Sequence, residues 1–139
     1  MYKRILFLPA IILLFSIIAF AAEREIVIAP FDTYGKASAE LAAEVTALLR
    51  TELDRSDKFK VMDPELAKQL LQDRGLQFTG QESFRQLVEK ARFLPVKEVA
   101  SGYVGRFGDM ITVSIRIFDL ETGDIIWTGS HDIFDSKQE

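Results

Sequence analysis

The chain lacks cysteine and carries a single histidine among its 139 residues. Without cysteine, a disulfide framework and a thiolate zinc site are excluded. The chain also lacks a large excess of charge of either sign, because it has 17 Lys and Arg residues and 21 Asp and Glu residues, which gives a formal net charge of −4. A basic nucleic-acid-binding protein is therefore not expected. The apolar share of 48% suffices for a folded core, which argues against disorder.

One long apolar run stands at the start of the sequence. A basic beginning precedes a run from Ile5 to Phe20, and Ala19-Phe20-Ala21 fits a signal-peptidase site. This layout predicts a secretory signal peptide over residues 1–21. The alternative is an uncleaved anchor, since the run is about the minimum for a membrane span of ~17–25 residues. We expect the periplasm as the destination and, without a cysteine after the run, no lipid anchor.

The rest of the chain predicts a domain over residues 22–135, followed by a polar tail at 136–139. Hydrophobic periodicity predicts the order β-α-β-α-α-β-β-β. A crossover implies a right-handed parallel pair, and two late hairpins imply an antiparallel meander. The expected fold is α/β of mixed α+β type, with helices packed on a single mixed five-stranded sheet. The predicted strands lie at 25–31, 58–62, 96–107, 111–117 and 125–133.

Local signals set the expected element boundaries. Ser38 can cap the first helix, and Asp63-Pro64-Glu65 has the acceptor, proline and acid of a helix start. Thr79-Gly80-Gln81-Glu82 fits a capping box for the third helix. Residues 32–35 and 121–124 are predicted turns, and Gly108-Asp109 a two-residue hairpin turn.

Catalytic patterns are nearly absent from the sequence. His131 has Asp132 as its neighbour, and successive strand residues point to opposite faces, so the two cannot work together. The glycines at 102, 105 and 108 precede a strand, whereas a dinucleotide fingerprint precedes a helix. Asp119, Glu121 and Asp124 lack the spacing of a calcium loop, and turn chemistry explains them. We expect no cofactor, no metal and no enzymatic activity.

Six residues are candidate ligand or partner contacts. Asp32, Thr33 and Tyr34 follow a central strand, where ligands bind in open α/β sheets, although a capped turn explains them as well. Lys58 and Lys60 suit an edge strand that must avoid aggregation. Trp127 is either a partner anchor or, more simply, a core aromatic.

Several segments together resemble a known group of envelope proteins. They are Ile26–Phe31, Leu48–Leu53, Asp57–Asp63, Val99–Gly105 and Phe118–Trp127. The sequence resembles the periplasmic domain shared by the curli secretion channel family, the amino-terminal domain of TolB, and related flagellar and peptidoglycan-synthase-activating proteins. No connection is long enough for the transmembrane hairpins of a curli-type channel, so a pore is not expected.

The resemblance implies a non-enzymatic module that binds other envelope proteins and further copies of itself. We expect no nucleic-acid partner and no membrane insertion after signal cleavage. Binding through an exposed sheet edge and binding at the strand-end loops both remain open. The alternative is a periplasmic small-ligand-binding domain that uses the first strand–helix turn. The sequence does not distinguish curli-like export, flagellar assembly and cell-wall synthesis.

Overall fold

The computed structural model describes residues 24–134. The predicted signal peptide and polar tail lie outside these residues. The strands are β1 Arg24–Ile28, β2 Asp32–Gly35, β3 Phe59–Val61, β4 Glu98–Phe107, β5 Met110–Asp119 and β6 Ile125–Phe134. The helices are α1 Ala39–Arg55, α2 Pro64–Gln72 and α3 Phe84–Ala91. None of these helices is long and apolar enough to span a membrane.

The strands form one open mixed sheet in the order β3-β1-β4-β5-β6, with β2 also paired to β4. β1 is parallel to β3 and β4, whereas β4, β5 and β6 form the expected antiparallel meander. The predicted fold class is therefore confirmed. Within the described part of the chain, β3 and β6 are the two edges of this path.

The prediction of a turn at residues 32–35 is wrong, because these residues form β2, and the sheet therefore has six strands where five were predicted. β1 pairs with β4 from Glu98 to Ala100, and β2 resumes the same side of β4 at Tyr103. Pro30 has no N–H to offer the ladder, so the strand is interrupted there. The backbone of β4 continues past the interruption, and the chain returns to pair with it.

The predicted capping box at Thr79–Glu82 is also wrong in position. The Ser83 hydroxyl accepts from the Gln86 N–H, and the Gln86 side chain accepts from the Ser83 N–H, so the box lies four residues later. Ser–x–x–Gln satisfies the same two backbone donors as Thr–x–x–Glu does. The other two caps are confirmed, with Ser38 accepting from Leu41 at 3.0 Å and Asp63 accepting from Glu65 at 3.2 Å.

Two apolar cores lie on opposite faces of the sheet. One packs α1 against β1, β4 and β5, and includes Ile26, Leu49 and Ile117. The other packs α2 and α3 against the opposite face, around Val99 and Phe118. The alternation of buried side chains in β4 and β5 supplies both cores from the same strands.

Glu98 carries one of the deeply buried carboxyl groups of this structure. Glu98 at the start of β4 is 1% exposed and forms an ion pair with Arg24, while its Oε1 atom has no hydrogen-bond partner. Burial raises the pKa of Glu98 above its usual value. The positive charge of Arg24 lowers this pKa and the negative charge of Asp119 raises it, but burial has the largest effect. The side chain is therefore a cost to folding at neutral pH.

Candidate functional site

A row of aromatic and thioether side chains crosses the sheet at one end of β4, β5 and β6. Phe107 is opposite Met110 on β5, and Met110 is opposite Phe134 on β6. Residues that are opposite each other in a ladder have side chains on the same face. The β4–β5 hairpin and the β5–β6 ladder therefore bring the three side chains together.

Two tyrosines extend this row toward β2. Tyr34 is opposite Gly105, and its ring meets the Tyr103 ring edge to face, with 5.1 Å between centroids. A Cβ atom on Gly105 would lie 3.0 Å from the Phe107 ring, so this ring lies over the glycine. We call the five side chains the aromatic patch: Tyr34, Tyr103, Phe107, Met110 and Phe134.

The aromatic patch is far more exposed than a folding role requires. The exposed fraction is 51% for Tyr34, 56% for Phe107 and 71% for Phe134. Single exposed apolar residues are ordinary, but a contiguous group of them marks an interaction surface. Aromatic side chains also dominate the binding energy of protein interfaces. The aromatic patch is therefore suited to bind a protein.

A second feature is a groove of about 470 Å³ at the carboxyl end of β1. One wall is the alanine-rich side of α1, and the other includes Pro30, Thr79 and Gln81. Small alanine side chains leave the space between helix and loop unfilled. Arg50 of α1 reaches this groove, and its buried Nε atom has no hydrogen-bond partner among the described residues.

A charged clamp holds the loop that forms the outer wall of the groove. The Glu82 carboxylate accepts hydrogen bonds from the backbone N–H groups of Thr79, at 2.6 Å, and Gly80, at 3.0 Å. Lys90 Nζ donates to Glu82 and to the Gln77 carbonyl oxygen, both at 2.8 Å. Burial raises the pKa of the Glu82 carboxyl, but the hydrogen bonds from Lys90 and Thr79 outweigh burial and leave the pKa below its usual value.

The structure divides the candidates near the first strand between these two features. Asp32 and Thr33 line the groove, where Asp32 Oδ1 accepts from the Thr33 N–H at 2.9 Å. Tyr34 belongs instead to the aromatic patch. The three candidates therefore do not form one site, because Asp32 and Thr33 line the groove and Tyr34 does not.

The remaining candidates lie on the two edges of the sheet. Lys58 directly precedes β3 and Lys60 is exposed within it, so both belong to an edge, as expected. Trp127 lies on β6, partly buried against the α1 core. His131 lies on the same edge strand as Trp127. The two lysines are thus far along the sheet from Trp127 and share no site with it.

The turn before β6 shows the chemistry expected of its acidic residues. Asp119 accepts from the Glu121 N–H and from the Thr122 hydroxyl, both at 3.2 Å. Gly123, at φ +82°, completes the turn. Among residues 24–134, no three His, Asp or Glu side chains are grouped so that they hold a metal ion.

Four members of the aromatic patch, all except Tyr34, and Arg50 escaped the sequence reasoning. Phe107, Met110 and Phe134 lie at strand ends. There the alternation of polar and apolar residues does not show which face of the sheet is covered by other elements. Only the register of the ladders aligns them. The alternation of Tyr103, Gly105 and Phe107 could have suggested that two aromatic rings and a gap share one face.

Comparison with known proteins identifies a matching family and solved structures with a similar fold. Residues 18–126 match the TolB amino-terminal domain family, whereas no curated protein sequence matches the chain. The LpoB C-terminal domain from Escherichia coli is similar in structure, with a TM-score of 0.75 at 20% identity over 91% of this chain and 93% of that one.

Two other solved structures share the fold at lower identity. Lipoprotein GNA1162 from Neisseria meningitidis gives a TM-score of 0.61 at 14% identity and 84% coverage of both chains. TolB from Acinetobacter baumannii gives 0.53 at 15% identity, over 86% of this chain and 25% of that one. Because the family match spans most of the sequence, the chain belongs to the TolB amino-terminal domain family.

Proposed function

We propose that this chain is a non-enzymatic interaction module of the cell envelope that binds another envelope protein through the aromatic patch. The observation that carries the proposal is a contiguous group of aromatic side chains whose exposure the fold does not require. The only histidine lies on an edge strand, with the neighbouring Asp132 on the opposite face of the sheet. The chemistry of the described residues thus favours binding over catalysis.

The periplasm is the compartment that we propose. The sequence layout of a signal peptide over residues 1–21 supports it, and so does membership of a family named for TolB. A similar structure bears the name lipoprotein, whereas this chain has no cysteine to carry a lipid. We propose the periplasm as the location of the mature domain, and assembly or export as the process that it serves.

Site-specific photo-crosslinking in living cells tests the proposal. A photoreactive phenylalanine analogue replaces Phe107 in one variant and Tyr34 in another. Phe93 provides a matched control, because it is also a large exposed aromatic residue, at 47%, but lies after α3 and outside the aromatic patch. We expect one adduct of the same mass from both patch positions and not from position 93.

The identity of the adduct decides the outcome. An envelope protein recovered from positions 34 and 107 supports the proposal. Equal yields at position 93, or no adduct at either patch position at native expression, would contradict it.

The groove favours a second candidate function, the binding of an anionic small ligand. Its specific support is the buried Nε atom of Arg50, a charged donor without a hydrogen-bond partner, which a bound carboxylate or phosphate would satisfy. Thr33, Thr79 and Gln81 offer polar groups on the groove walls. The carboxyl ends of parallel strands are also the usual ligand position in open α/β sheets.

A thermal-shift screen with nucleotides and cell-wall fragments tests this second function. A stabilising anionic ligand should lose its effect in Arg50→Gln, whereas Asp32→Ala should keep or strengthen the effect, because the Asp32 carboxylate in the groove repels an anion. Arg55→Gln is the matched control, because Arg55 lies at the end of the same helix and pairs with Glu52 at 3.3 Å, outside the groove. A shift that all three variants retain would place the ligand elsewhere.

A further inference from the structure

β6 is an edge of the sheet that residues 24–134 form, and its geometry defines which backbone groups face outward. The β4–β5 hairpin has a two-residue turn, so its closing pair, Phe107 and Met110, exchanges hydrogen bonds. Hydrogen-bonded pairs then alternate along each antiparallel ladder. The even-numbered residues of β5 therefore bond to β4 and the odd-numbered ones to β6. In β6, the N–H and C=O groups of Thr128, Ser130 and Asp132 consequently point away from the sheet.

The two edges of the sheet differ in how they are protected. β3 has three residues and presents Lys60, with Lys58 directly before it. Short edge strands and lysines are common devices against strand addition. β6 has ten residues and contains no lysine, arginine or proline. A ten-residue edge without these devices is a template for another strand.

We propose that two copies of this chain pair their β6 strands antiparallel, about a two-fold axis that is perpendicular to the sheet and passes through Ser130. Such a dimer extends the sheet across both copies. This interface is distinct from the aromatic patch, with which β6 shares only Phe134. The match to the TolB amino-terminal domain family ends at Ile126, so most of β6 lies beyond the matched residues.

The side chains of β6 are complementary to themselves in this register. Opposite residues of an antiparallel pair have side chains on the same face of the sheet. Only registers centred on a residue therefore keep the α1 faces of both copies on the same side of the joined sheet. With the axis at Ser130, Trp127 meets Ile133 of the second copy on the α1 side, and His131 lies opposite Gly129 between these two pairs. On the other side, Thr128 meets Asp132. Apolar groups thus meet apolar groups, and a hydroxyl donor meets a carboxylate.

The neighbouring registers lack this agreement. With the axis at Gly129, the indole of Trp127 lies opposite His131. With the axis at His131, two imidazoles meet, and Ile133 faces a glycine. The register at His131 sets the two Asp132 residues two positions apart along the strands, whereas the register at Ser130 sets them four positions apart. This spacing corresponds to about 14 Å, beyond the Debye length of ~8 Å at physiological salt.

Cysteine pairing tests this register directly, since the chain has no native thiol. In the full mature domain, Ser130→Cys places two thiols across the axis, with their Cα atoms about 5.5 Å apart, within the range that a disulfide spans. We expect oxidation to give a covalent dimer of Ser130→Cys. Lys60→Cys, on the opposite edge, is the matched control and should stay monomeric.

A mixing experiment fixes the register. Thr128→Cys alone and Asp132→Cys alone each place their thiols about 14 Å apart and should not crosslink. A mixture of the two variants should crosslink, because position 128 of one copy is opposite position 132 of the other. Crosslinking of either variant alone, or the absence of a covalent heterodimer from the mixture, would overturn the proposed register.

Sedimentation velocity supplies a test without covalent bonds. Ser130→Lys sets two ammonium groups opposite each other and should raise the dimer dissociation constant at least tenfold. Thr51→Lys makes the same charge change on an exposed position of α1 and should leave the constant unaltered. The proposal is overturned if the wild-type domain is monomeric at millimolar concentration and Ser130→Cys fails to crosslink. It is also overturned if Ser130→Lys dimerises as the wild type does.

Discussion

Gly102 of β4 gives the sharpest prediction about the fold. A Cβ atom at this position would overlap the backbone carbonyl oxygen of Ser114 in β5 and lie 3.0 Å from the Phe31 ring. The backbone of a paired strand cannot rotate away, so Gly102→Ala must push β4 from β5 or displace Phe31. Gly105 is the matched control, because its added Cβ would meet only the exposed ring of Phe107, at 3.0 Å.

Gly102→Ala should lower the free energy of unfolding, whereas Gly105→Ala should change it little in either direction. Overpacking in a core costs about 1–3 kcal/mol, and we place Gly102→Ala at about 2–3 kcal/mol because backbone is involved. Gly→Ala also reduces the entropy of the unfolded chain, which stabilises by about 0.4–1 kcal/mol where the new side chain fits. Gly105→Ala should therefore lie within about 1 kcal/mol of the wild type, because the Phe107 ring can turn aside.

Urea unfolding followed by circular dichroism measures both free energies of unfolding. For a domain of about 110 residues, 2–3 kcal/mol corresponds to a fall in Tm of about 8–12 °C. An identical urea midpoint for the wild type and Gly102→Ala would refute the close approach of β4, β5 and Phe31. Equal losses in the two variants would refute the distinction between backbone and side-chain obstruction.

Three further predictions concern buried carboxyl groups and a helix cap. The raised pKa of Glu98 means that the folded state takes up a proton before the unfolded state, so the wild type gains stability as pH falls from 7 toward 4.5. Glu98→Gln should lose this gain, as urea midpoints at pH 7 and pH 5 will show. The lowered pKa of Glu82 has the opposite sign: its stabilisation is present above pH 4.5 and disappears as pH falls below it. Glu82→Gln should be less stable than the wild type at pH 6, with the difference shrinking by pH 3, and an unchanged difference would contradict the clamp. Asp63→Ala removes the acceptor for the Glu65 N–H and should cost about 1 kcal/mol in thermal unfolding, whereas no change would show that α2 does not depend on this cap.

Most of the architecture could be predicted because its signals are local. The β-branched runs of β1 and β5, the proline and acid that start α2, and the two-residue turn between β4 and β5 each depend on a few neighbouring residues. β2 could not be predicted, since Asp32–Gly35 has the composition of a turn and is a strand only because β4 continues beside it. Tertiary pairing overrode the local preference there.

The candidate site was less accessible to sequence reasoning. Asp32 and Thr33 were predicted from the rule that ligands bind at the carboxyl ends of strands in open α/β sheets. This rule gives the position of the strand end but not the shape of the groove around it. The aromatic patch depends on the registers of three ladders, and a shift of one residue in any of them would send its side chains to the opposite face. The curli-channel part of the expected resemblance stays a prediction, as does the signal peptide over residues 1–21.

A paired measurement on Phe107→Ser tests most directly whether the aromatic patch exists for binding. The free energy of unfolding and the Kd for the protein captured by crosslinking are measured on the same preparation. We expect unfolding within about 1 kcal/mol of the wild type, because the ring is more than half exposed, and a Kd raised at least tenfold, or about 1.4 kcal/mol. An unaltered Kd, or a loss of binding that merely accompanies a loss of folding, would contradict the proposal that these rings serve a partner.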